Sequence, residues 1–170
     1  PGRIDWKAGA TVPYRGEPVR VVLDVLQPHG VLHAGRTEAD AAQTLRISLQ
    51  DDASAEQIEL AVQAWLKQRA SQLFTSRLNH FAPQLGVQWR KLGLSSAATR
   101  WGSASASGAI RLNWRLLHFR PEVIDYVVVH ELSHLRVMDH SPRFWATVHS
   151  VMPDYAALRN QLKNEAIPRK

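Results

Sequence analysis

The sequence predicts an α+β fold in which a β-rich opening is followed by helices. Three observations carry that expectation. Short alternating apolar runs punctuated by Gly and Pro fill the first fifty residues, and a long apolar stripe at helical spacing follows. Beyond it, Pro121, Pro142 and Pro153 each stand where a helix would begin.

Taken in order, Thr11–Tyr14 and Val19–Leu26 flank the turn Arg15-Gly16-Glu17-Pro18 and predict a hairpin. Val31–Ala34 and Thr44–Leu49 add two short strands, the second alternating Leu45, Ile47 and Leu49 against Arg46 and Ser48. Such a run of antiparallel strands needs a cover for its apolar face. Ser54 with Gln57 three residues later is a capping-box pattern that opens a long helix. Ile58, Ala61, Val62, Trp65, Leu66, Leu73 and Phe74 give that helix one buried stripe, and Pro83 and Gly86 end it or its successor.

Val87–Leu92 then reads as a strand, Ser103–Gly108 as a small-residue loop and Ala109–Trp114 as another strand. From Pro121 the apolar positions Ile124, Val127, Val128, Leu132 and Leu135 carry a helix to about Met138. Ser141-Pro142 pairs an N-cap with an N1 proline, and Pro153 opens a last helix to about Asn164. Residues 1–52 are thus a β-rich segment and residues 53–170 the main domain.

The chain has no cysteine, which removes disulfides and thiolate zinc sites, so any metal must use His, Asp or Glu. No apolar run approaches the length of a membrane span, and the expected location is cytoplasmic. Pro1 in place of an initiator Met suggests an upstream segment. The net charge of +6 is uneven: residues 1–85 carry nine Lys/Arg and nine Asp/Glu, residues 86–170 twelve and six. A nucleic-acid partner is compatible with that basic half but not required, because no lysine-rich block or aromatic interleaving accompanies it.

The chemistry lies in His130-Glu131-Leu132-Ser133-His134. At about 100° per residue, two histidines four apart lie about 40° apart around the helix and one turn apart along it, so both reach one ion. Glu131, beside that face, is placed to take a proton from a metal-activated water. A plain surface cluster fits poorly, because the polar residues follow the apolar run Val127-Val128-Val129 and would be costly to bury without compensation.

A third ligand follows from the helix break. On a continuous helix His140 would lie about 240° further round than His134 and face away. Ser141-Pro142 cannot be interior to that helix, so Asp139-His140 forms a turn free to swing back to the ion. The ligand spacing equals that of zincins with an H-E-x-x-H-x-x-G-x-x-H motif, although Val137 replaces their glycine. Three histidines leave a fourth tetrahedral position for water, as a catalytic zinc requires.

With these residues the chain resembles the YgjP-like metallopeptidases, relatives of SprT-like proteins and of the minimal gluzincin-type zinc peptidases. The resemblance runs through Arg100-Trp101-Gly102-Ser103-Ala104-Ser105, Ile110-Arg111-Leu112-Asn113-Trp114, Val123–Leu135, Asp139-His140-Ser141-Pro142-Arg143-Phe144-Trp145 and Met152-Pro153-Asp154-Tyr155. Ala104 stands where the family often has Cys, and Asp139 where it often has Asn. The resemblance implies a zincin-like catalytic core, with a small mixed or antiparallel sheet packed on the motif helix. It also implies one Zn2+ and a peptide or protein substrate. In that arrangement Ile110–Trp114 is the expected edge strand beside the cleft, with Arg100 and Asn113 as candidates to position substrate or stabilise an oxyanion.

Other residues have plainer expectations. Asp125 either supports a ligand histidine or pairs with an arginine, and His118 and His149 are surface or core residues. Phe144 and Trp145 share helical spacing with Val148 and read as core, while Tyr155 is a weaker candidate oxyanion donor. Three rival functions are a nucleotide phosphohydrolase using Arg100, Arg111, Arg115 and Arg143, a DNA-associated protease of SprT-like type, and a degenerate binding domain. The first lacks a Gly-rich phosphate cradle, and the last has no need of Glu131.

Overall fold

A computed structural model of the chain describes residues 3–26, 31–33 and 43–164. Ala34, the end of the expected strand Val31–Ala34, lies outside the described residues. The fold is α+β, with helices and two small sheets.

The first sheet comprises β1 (Thr11–Tyr14), β2 (Glu17–Leu23), β3 (Val31–His33) and β4 (Gln43–Ile47), in the order β1-β2-β4-β3. The β1–β2 hairpin turns at Arg15 and Gly16, which have φ of 53° and 82°. Gly16 is needed twice over, because a Cβ there would also clash with the Arg120 side chain. The expectation of a purely antiparallel run fails at β2 and β4, which pair in parallel, while β3 is antiparallel to β4. Leu45 and Ile47 are buried alongside Val19 and Val21. This alternation seats β4 inside the sheet and leaves the three-residue β3 on the edge.

Helix α1 (Ala55–Leu85) opens on the capping box: Ser54 N donates to Gln57 Oε1 at 2.9 Å and Gln57 N to Ser54 Oγ at 3.2 Å. It closes at Gly86, φ 67°, where Gly86 N donates to Pro83 O and Val87 N to Ala82 O. That Schellman arrangement places Pro83 in the last turn of a single helix.

The chain divides into two compact units, with one boundary falling within the α1 sequence, between Gln68 and Arg69. Among the described residues, one unit takes the chain up to Gln68 with Leu117–Arg120, and the other takes Arg69–Leu116 and residues 121–164. In the first, Val12, Tyr14, Val21, Ile58, Val62 and Leu66 are buried, and Tyr14 meets Trp65 with ring centroids 5.2 Å apart. His118 belongs there, its Nδ1 2.7 Å from Pro13 O, as a buried structural histidine.

The second unit holds the motif. Its sheet has the order β5 (Lys91–Ser95), β7 (Ala109–Asn113), β6 (Gly102–Ala104). The strand expected at Val87–Leu92 starts later, and the loop expected at Ser103–Gly108 begins as strand β6. Strand β7 pairs in parallel with β5 and antiparallel with β6. It is therefore central, and β6 is an edge, which corrects the expectation that Ile110–Trp114 forms the edge strand. Both flanks of β7 are paired, and Ile110 and Leu112 on it are buried.

Helix α2 spans Pro121–Ser133, α3 Pro142–Val151 and α4 Tyr155–Asn164. Among the described residues no helix is long and apolar enough to cross a membrane.

Candidate metal centre

Helix α2 ends at Ser133, short of the expected Met138. His134 N, Leu135 N and Arg136 N bond to the carbonyls of Glu131, Leu132 and Ser133, so the last turn tightens to i→i−3 bonds. Ser133 Oγ donates to Val129 O at 2.7 Å inside the buried face. The chain then turns. Asp139 Oδ1 accepts from Ser141 N at 3.1 Å, and Ser141 leads into Pro142 at the first position of α3. The Ser141 bonds hold the Asp139 carboxyl below its usual pKa.

His140 sits in this turn and reaches back to α2. Its Nε2 lies 3.1 Å from His134 Nε2 and 3.3 Å from His130 Nε2. One nitrogen from each ring falls within 4.8 Å of the others. Three imidazole edges aimed at one point cannot satisfy one another, since each neutral ring offers a single N–H. A tetrahedral zinc with Zn–N of about 2.0–2.1 Å separates its ligand nitrogens by about 3.3–3.4 Å, so the spacing fits such an ion.

The far sides of two rings are oriented. His134 Nδ1 lies 3.1 Å from Val137 O, and His130 Nδ1 lies 3.2 Å from Tyr126 Oη. Donation through Nδ1 leaves each Nε2 lone pair facing the cluster. Burial, joined by His134, His140 and Arg159, pulls the His130 ring down to about 3, and burial also lowers that of His134. Both are therefore neutral near pH 7, as ligation requires.

Aromatic rings from α3 wall the cluster. Phe144 is fully buried and stacks on His134 at 4.3 Å and 27°. Trp145, expected in the core, is only half-buried; it stacks on His140 at 6.0 Å and on Tyr155 at 5.2 Å. His149 is exposed and lies outside the three-histidine group.

Glu131 is buried, with 6% of its surface exposed. Burial pushes its carboxyl up to about 7 against the downward pull of Arg100. Edge strand β6 lies against it at Gly102, where a Cβ would come within 2.9 Å of Glu131 Oε2. Sequence reasoning missed Gly102; the signal available was a glycine inside a strand, which often marks close backbone approach.

The remaining candidates have definite places. Arg100 is exposed and lines a pocket that Glu131 also lines. Asn113 is buried; its Nδ2 donates to Ala97 O at 2.9 Å and Arg100 O at 3.4 Å, and its Oδ1 accepts from Arg115 N. Its amide therefore shapes the loop before β6. Asp125 makes a two-point pair with Arg77, at 2.8 and 2.9 Å, and supports α2 against α1.

A family model described as YgjP-like, metallopeptidase domain, matches residues 2–165. Among solved structures, the metallopeptidase zymogen of Pyrococcus abyssi abylysin is similar at TM-score 0.49 and 25% identity, covering 56% of this chain and 98% of that one. The metallopeptidase zymogen of Methanocaldococcus jannaschii jannalysin is similar at TM-score 0.47 and 16% identity, covering 53% and 93%. A comparison with curated proteins finds no match.

Proposed function

The chain belongs to the YgjP-like metallopeptidase family, and we propose that it is a zinc peptidase with His130, His134 and His140 as ligands and Glu131 as general base. The observation that carries this reading is the convergence of three Nε2 atoms, one of them from His130, which lines a pocket together with the buried Glu131. When bound, zinc supplies Lewis acidity that brings the pKa of a coordinated water to about 7.

The chain's own residues do the rest. Glu131 has a carboxyl held up to about 7 and, among the described residues, receives no hydrogen bond from the protein. It is matched to accept a proton near neutrality and to return it to the leaving amine. Arg100 limits how far that pKa rises. Asn113 fixes the loop that carries Arg100 and Trp101. Edge strand β6 has one flank on β7, and its other flank offers backbone groups to which an extended peptide adds as a strand. This reading assigns to β6 the role expected of Ile110–Trp114.

The test is to load the chain with zinc, measure metal content, and offer a mixed peptide library alongside a panel of nucleoside triphosphates. Peptide cleavage at one zinc per chain supports the proposal. Triphosphate hydrolysis without peptide cleavage overturns it in favour of a phosphohydrolase.

A further inference from the structure

Beside Glu131 lies a pocket of about 270 Å³, and its lining joins Arg100 to Arg159 and Lys163 of α4. Glu131 is the lone acid among the described lining residues, against these three cations. Tyr126, Val127 and Leu162 supply apolar surface. Arg159 rests over the Trp145 ring, 5.0 Å from its centroid, so a cation–π contact places it. Among the described residues none of the three cations has a carboxylate within ion-pair distance.

Glu131 shares the pocket and feels the Arg100 charge, but among the described residues it forms no close ion pair with any of the three. It is buried, whereas Arg100 is exposed, and its carboxylate faces the backbone of Gly102. Arg159 makes its charge felt at both Tyr126 and His130. Three cations lining one pocket, with no carboxylate in ion-pair distance among the described residues, are best compensated by an anion brought by the ligand.

We propose that this pocket is the subsite for a carboxylate of the peptide substrate, held by Arg159 and Lys163 with Arg100. The inference rests on the peptidase reading and adds a substrate class to it: peptides with an acidic side chain, or a free C-terminal carboxylate, close to the cleaved bond. The apolar lining suits the aliphatic stem of such a side chain. The absence of a Gly-rich backbone cradle in the sequence disfavours a phosphate.

The test uses zinc-loaded chain and matched peptides that differ by Glu/Gln or Asp/Asn at successive positions, or by a free against an amidated C-terminus. One position or the terminus should show an acid-over-amide ratio in kcat/KM of about tenfold, as expected for a few partly exposed charge pairs. Which of the two shows it identifies the source of the carboxylate. The ratio should fall towards one in about 1 M salt, where screening is nearly complete. Arg159→Glu and Lys163→Glu should abolish or invert it, and Lys163 is exposed, so that variant leaves packing intact. A second readout is binding of the same peptides to Glu131→Gln by fluorescence anisotropy, with acetate and inorganic phosphate as competitors. Cleavage with a ratio near one throughout, or a ratio untouched by both charge reversals, overturns the subsite and leaves the peptidase reading standing. Cleavage of no peptide overturns both. Displacement by phosphate far more strongly than by acetate overturns the carboxylate assignment.

Discussion

Gly102 of β6 and Glu131 of α2 are packed so closely that a Cβ on Gly102 would lie 2.9 Å from Glu131 Oε2 and 3.0 Å from its Cγ. The same Cβ would approach Arg111 O at 3.0 Å, so neither the sheet nor the carboxylate yields without cost. The edge strand and the proposed general base are thereby held in one geometry.

Gly102→Ala should therefore impair catalysis more than folding. Displacing a catalytic carboxylate by a fraction of an ångström costs about ten- to a hundredfold in kcat/KM. Zinc content and circular dichroism should match wild type. Activity within about twofold of wild type, well short of that loss, would show that this contact does not position Glu131.

Replacing ligands separates the turn histidine from the helix histidine. His140→Ala should weaken zinc binding sharply, measured by competition with a chromogenic chelator, because one of three protein ligands is lost. His149→Ala should leave affinity unchanged, since His149 is exposed, lies outside the three-histidine group and meets Tyr155 edge-on at 6.4 Å. The reverse result would move the third ligand into α3.

Much of this site was legible in the chain because its signals are local. The capping box at Ser54 and Gln57, the i, i+4 spacing of His130 and His134, and the helix break at Ser141-Pro142 each depend on neighbouring residues. Pairing partners were not legible. Nothing local to Ile110–Trp114 shows that β5 and β6 flank it, or that Gln43–Ile47 lies parallel to β2. The tightened end of α2 also escaped the apolar pattern, which continues through Leu135 while the hydrogen bonds change register at His134. Gly102 was hidden for the same reason, its neighbour Glu131 lying 29 positions away.

The buried Glu131 gives the metal-free protein a pH-dependent stability. Its folded pKa, about 7, lies above the ordinary value of 4.5, so the folded state binds the proton more tightly. The stability this proton contributes is present below pH 4.5 and lost as pH rises towards 7. Glu131→Gln should accordingly be more stable than wild type above pH 7, by on the order of 2–3 kcal/mol, with the difference vanishing below pH 4.5. Metal-free urea melts across that range check it, and equal stability at about pH 8 would contradict it.

Asp125→Asn tests whether that carboxylate serves packing or the metal. Its two-point pair with Arg77 is partly exposed, with side-chain exposures of 30% for Arg77 and 20% for Asp125. Loss should cost about 1 kcal/mol in thermal unfolding and leave zinc affinity unchanged. A fall of about tenfold in zinc affinity would instead make Asp125 a support of the ligand histidines.

Peptide hydrolysis by Glu131→Gln carrying a measured equivalent of zinc separates proton acceptor from metal ligand in one experiment. The variant should hold as much zinc as wild type, because Glu131 is outside the three-histidine group. Its peptide turnover should be lost, because the proton acceptor is gone. Undiminished turnover with zinc in place, or loss of the zinc itself, would contradict the role given to Glu131.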